Sequence, residues 1–140
     1  MEVNDIITAI SIKLNQTFGD SYSNYVDEIP QAFQAPAFLI LFLSLENIRQ
    51  IGNRWRVTTL FNVQYFPSGG RIDASNHALK VQQTLQDITL VNGSLMHGTG
   101  ATSEIVDGIV HNMIHFNFFL QEVEAQTFVE SLEQRSTVKG

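Results

Sequence analysis

The chain contains no cysteine and only three prolines. The first absence removes disulfide scaffolds, thiol nucleophiles and Cys-ligated zinc in one step. Charge is scarce as well. Asp, Glu, Lys and Arg make up 16% of the residues, against roughly 25% in an ordinary soluble domain. Cations are the scarcer sign, with eight Lys and Arg against fourteen Asp and Glu, a net charge of −6. Dedicated DNA or RNA binding needs clustered cations on phosphate, so it is not expected. Long apolar runs are missing too. The longest, Ala37-Phe38-Leu39-Ile40-Leu41-Phe42-Leu43, falls far short of the roughly 20 residues that span a bilayer. The first residues, Met1-Glu2-Val3-Asn4-Asp5, are acidic where a secretory leader would be basic. The expectation is a soluble cytoplasmic product with no membrane partner.

What the chain does have is apolar bulk. Hydrophobic residues reach 44% and include ten Phe, which excludes disorder, whose signature is low hydrophobicity with high charge. Its 140 residues suit one domain, which buries roughly 70% of its unfolded surface without staples. So much Phe beside so little charge suggests that some apolar surface is buried against other chains.

Periodicity orders the segments. Val3, Ile6, Ile7, Ile10 and Leu14 predict a helix over 3–17 that stops at Gly19. Tyr25 to Ile29 reads as a short strand closed by Pro30, and 31–36 as a turn or irregular connection. The run 37–45 is apolar but for Ser44, which predicts a strand covered on both faces. After a turn within 47–53, residues 54–66 alternate: Trp55, Val57, Phe61, Val63 and Tyr65 face one way, and Arg56, Thr58, Asn62 and Gln64 the other. An antiparallel hairpin with 37–45 is the simplest pairing. Asp73 suits the N-cap of a second helix over 73–86. Asn92-Gly93 marks a hairpin turn, Gly98-Thr99-Gly100 a loop, and Asp107-Gly108 a second tight turn before the strand 109–120. The pattern is α+β: a mainly antiparallel sheet holding 37–45, 54–66 and 109–120, with both helices packed on it. From Glu122 the composition turns acidic. Ala125, Phe128, Val129 and Leu132 lie at i, i+3, i+4 and i+7, which predicts a C-terminal amphipathic helix of about ten residues. The chain thus divides into a domain over 1–121 and an extension over 122–140.

Few residues invite chemistry. His111 and His115 have the i, i+4 spacing of a helical metal pair, but the residues around them are β-branched and aromatic. On a strand their side chains would stand about 13 Å apart and could not share one ion unaided. The glycines of 98–103 lack the Lys-Ser/Thr of a phosphate loop. Asn92-Gly93-Ser94 spells a glycosylation sequon but reads as a turn. Asp27 and Glu28 point to opposite faces, Asp87, Glu104 and Asp107 sit at element ends, and no G-x-S-x-G elbow occurs. No catalytic residue, metal or cofactor is expected.

Four stretches, in this order and spacing, give the chain its kinship: 12–20 (Ile-Lys-Leu-Asn-Gln-Thr-Phe-Gly-Asp), 63–68 (Val-Gln-Tyr-Phe-Pro-Ser), 93–98 (Gly-Ser-Leu-Met-His-Gly) and 105–110 (Ile-Val-Asp-Gly-Ile-Val). Across some 110 residues, to about Leu120, the chain resembles the short tail terminator proteins of tailed phages, prophages and phage-tail-like particles of Gram-positive bacteria. The resemblance implies an α+β subunit in a homohexameric ring on the head-proximal end of the tail tube. It implies a structural virion protein of the tail or neck, assembled in the host cytoplasm. Such a ring stops tube polymerisation, offers a docking face to the neck or connector protein, and meets the sheath in contractile tails. Genome DNA passes through it without specific binding. The stripe Ala125, Phe128, Val129 and Leu132 is then a candidate interface with a neighbouring subunit or partner. Two other readings stay open: a head–tail connector or stopper protein, and a small-ligand-binding α+β domain using His111 and His115.

Overall fold

The structure is a computed structural model that describes residues 2–121. Helix α1 (Val3–Phe18) leads into β1 (Ser23–Val26), β2 (Ala37–Gln50) and β3 (Arg54–Phe66); helix α2 (Arg71–Thr84) precedes β4 (Asp87–Thr89), β5 (Leu95–Val106) and β6 (Ile109–Gln121). The strands form one six-stranded sheet in the order β1-β2-β3-β6-β5-β4. The described residues divide into two compact units, 2–45 with 59–117, and 46–58 with 118–121.

Both helices lie on one face of the first unit. α1 buries Ile6, Ala9, Ile10 and Leu14, the stripe its spacing predicts. The Asp5 carboxylate accepts the Glu2 backbone N–H at 2.8 Å, which ties down the first turn, where helical N–H groups lack partners. Gly19 ends the helix at φ 95°, a region where a Cβ would be strained. α2 buries Ala74 and Val81. Its N-cap is Gly70 and not Asp73, which lies inside the first turn with its negative charge near the positive end of the helix.

The sheet is mixed. β1 runs parallel to β2, with Ser23 opposite Ala37, and it begins two residues earlier than Tyr25 and ends before Ile29. β4–β5 and β5–β6 are antiparallel. The remaining pairings follow from side chains: Phe38 meets Tyr65 and Phe42 meets Phe61, so β2 and β3 run in opposite senses. The Thr59 hydroxyl donates to the Phe116 carbonyl, and Asn112 Nδ2 to the Val63 carbonyl, which sets β3 and β6 antiparallel too.

Two expectations need correction. The stretch 98–103 is not a loop but part of β5, with a register shift between Thr99 and Thr102. Gly98 belongs there because a Cβ would sit 2.6 Å from Ile114 Cδ1 and closer still to the Leu85 carbonyl. The run 37–45 is a strand, but it is covered on both faces only as far as Ile40. Burial stops after Ile40, and Leu43 and Leu45 are exposed. Phe33 packs edge-on against Phe66 on the side away from the helices, and this cover does not extend along β2. The turns match expectation. Asp107 and Gly108 both take positive φ, 53° and 78°, as a two-residue hairpin demands. Gly93 sits at φ 90° beside an Asn92 side chain that accepts the Ser94 N–H at 2.9 Å.

Candidate functional site

Strand alternation decides which side chains meet on the open face of the first unit. Val110, Asn112, Ile114 and Phe116 turn toward the helices and are buried. His111 and Met113 therefore turn to the opposite face, where they line a cavity of about 640 Å³ with Asn62, Thr102, Ser103, Glu104 and Val106. The β5–β6 register sets Glu104 opposite His111 and Thr102 opposite Met113. Asn62 Nδ2 lies 3.2 Å from His111 Nδ1, so the amide donates and that ring nitrogen accepts. Asn62 is only 8% exposed, and its Oδ1 finds no donor among the described residues. A buried acceptor without a donor is costly. The wall thus combines two apolar side chains, one carboxylate and one unsatisfied acceptor.

His115 is not among the residues lining this cavity; its ring lies against Gly100, 3.1 Å from where a Cβ there would be. The two histidines stand on one strand, as their surroundings predict, and no group of three or more His, Cys, Asp or Glu side chains among the described residues can hold a metal. The stripe Ala125, Phe128, Val129 and Leu132 lies outside the described residues.

The second unit carries a different surface. Ile51 is 99% exposed in the turn between β2 and β3, where Gly52 and Asn53 take positive φ. Three of the eight basic residues, Arg49, Arg54 and Arg56, fall within this hairpin end, against Glu46 alone. Arg49 lies 5.6 Å from the Trp55 ring centre and Arg54 3.8 Å from that of Phe119, close enough for cation–π attraction to hold both guanidinium groups. Arg49 also donates to Asn53 Oδ1 at 3.2 Å. Sequence reading passed over this cluster, although its spacing is visible in the chain.

A third feature is internal. His77 stacks on Tyr65 at 4.4 Å and 13°, with Phe18, Tyr22 and Phe38 around them. The Asp73 carbonyl can only accept, so His77 Nδ1, 2.9 Å away, donates to it. In the neutral ring Nε2 then accepts from the Tyr22 hydroxyl, also at 2.9 Å. Burial, with Tyr22 and Asp73 beside it, pushes the Tyr65 phenol well above its ordinary pKa. This network closes on itself and fixes α2 to the sheet; the i, i+4 spacing of Asp73 and His77 was its sequence signal. Nearby, Gln82 donates to Ser103, Ser103 to Asn112, and Asn112 to the Val63 carbonyl. That relay joins α2, β5, β6 and β3 and satisfies a buried amide.

No helix among the described residues is long and apolar enough to cross a membrane. The model of a family described as phage tail terminator protein matches residues 5–127. None of the curated proteins matches the chain.

Proposed function

The chain belongs to the phage tail terminator family, and from that premise we propose that it caps the head-proximal end of a tail tube as a closed ring. Its role is structural, with no chemical step. The family match over 5–127 carries the reading. Two features of the subunit support it. Leu43 and Leu45, which share a face of β2, are exposed, and apolar groups exposed together mark contact surfaces. The features are also unlike one another, an acidic cavity on one unit and a basic hairpin end on the other, as a head-to-tail ring requires. The sixfold ring that fits a tail tube would halt tube growth by covering the last tube subunits and would present its other side to the neck protein. Sheath contact follows where the tail is contractile.

The test is the mass of the purified full-length protein in solution, followed by its location on isolated particles. A hexamer that binds the head-proximal tip of tails lacking heads is the expected result. Retention on capsid necks and absence from headless tails would make it a connector or stopper. A chain that stays monomeric alone and on tails would overturn the ring.

A further inference from the structure

The two surfaces fit one another. The hairpin end 46–58 carries three arginines and one glutamate, a net +2, in a chain whose total is −6; the rest therefore carries −8. Its tip residue, Ile51, is the most exposed large apolar side chain of the described residues. The cavity offers the apolar side chains of Met113 and Val106 and the Glu104 carboxylate. Asp107 follows in the adjoining turn. Each partner has what the other lacks: an apolar knob with cations, and a cavity with apolar lining and anions.

We infer that the β2–β3 hairpin end of one copy seats in the cavity of the next copy, with Ile51 against Met113 and Val106 and its arginines beside Glu104 and Asp107. The occupant is a second copy of this chain, because the hairpin end concentrates cations in a protein otherwise dominated by acids. Opposite charges steer and register such a contact. The pairing joins two different patches of the same chain, so it propagates head to tail and closes only as a ring. The inference rests on the ring reading and adds to it the surfaces that meet.

The test uses full-length protein with two kinds of variant. Ile51→Asp removes the knob and leaves the cavity; Glu104→Arg, and separately Met113→Arg, spoils the cavity and leaves the knob. Ile51 and Glu104 are exposed, so these two variants keep the wild-type circular dichroism. Met113→Arg is the check that size as well as charge matters. Each single variant should associate at least about thirtyfold more weakly than wild type, the mark of an interface hot spot. Mixing Ile51→Asp with Glu104→Arg should then give a one-to-one dimer and nothing larger, because one intact knob and one intact cavity remain between them. A ring unchanged by Ile51→Asp, or a mixture that stays monomeric, overturns the pairing while leaving the ring itself standing. A wild-type chain that never assembles, even on tails, overturns the ring reading and the pairing with it.

Discussion

At the scale of single residues, burial sets one proton apart from the rest. The Tyr65 phenol has an elevated pKa chiefly because burial disfavours its charged form, and Tyr22 and Asp73 add to the effect. The folded value lies above the unfolded one, so the native state keeps a proton that the unfolded chain gives up. That contribution to stability is complete below pH 10 and is lost as pH rises past 10 toward the folded value. In an alkaline absorbance titration one phenol should therefore ionise late, together with the loss of the near-ultraviolet signal of folded protein. Tyr65→Phe should remove this late step and flatten the fall of the melting temperature above pH 10. An unchanged titration would show that Tyr65 is not held as the stacking with His77 indicates. Of these rings, Tyr65 was legible in the sequence as an inward position of β3 and Phe38 as part of the apolar run of β2. Their joint enclosure of His77 was not, since it depends on how α2 lies across β3.

At the scale of elements, β2 separates what a hydrophobic run says from what it leaves open. Leu, Ile and Phe in an unbroken row specify a strand, but they do not say what covers each face. Leu39 is 6% exposed, whereas Leu43 and Leu45 are 45% and 49% exposed, although all three stand on the same face. Leu39→Ala should cost about 2–5 kcal/mol of subunit stability, as burial of that side chain implies. Leu43→Ser and Leu45→Ser should each change it by less than about 0.5 kcal/mol, as exposed positions do. Denaturant midpoints of the monomer at low concentration measure this; a large loss from Leu43→Ser would mean that the subunit itself covers that leucine. The reverse error befell β5. Gly98 and Gly100 look like loop punctuation, yet Gly98 is needed inside a strand because the Leu85 carbonyl and Ile114 crowd it. Glycine marks both kinds of place, and only the neighbours brought by folding tell them apart. β3 and the Asp107-Gly108 turn were fully legible, because strict alternation and positive-φ residues are local signals. The cavity was not: its walls come from β3, β5 and β6, and nothing in the sequence sets Glu104 opposite His111 before the register is known.

At the scale of the whole molecule, charge divides the duties. Six copies of a −6 chain would carry −36, a field that repels phosphate and keeps a channel from gripping DNA that must slide through it. Positions lining the channel of the proposed ring are expected to be acidic or neutral. Among the described residues the basic cluster Arg49, Arg54 and Arg56 is the part that the neighbour's cavity would take up. Even if all three arginines of one subunit met phosphate, the log–log salt slope of DNA binding by that subunit would be only about −2.7. Fluorescence anisotropy with a labelled duplex should accordingly show negligible binding by the assembled protein at physiological salt. At low salt, Ile51→Asp monomers, whose arginines are freed, should bind more than the ring does. Tight binding by the ring would place these arginines on the genome instead of on the next subunit, and a single-subunit slope much steeper than about −3 would bring in cations outside the hairpin, such as Lys13, Arg71 and Lys80.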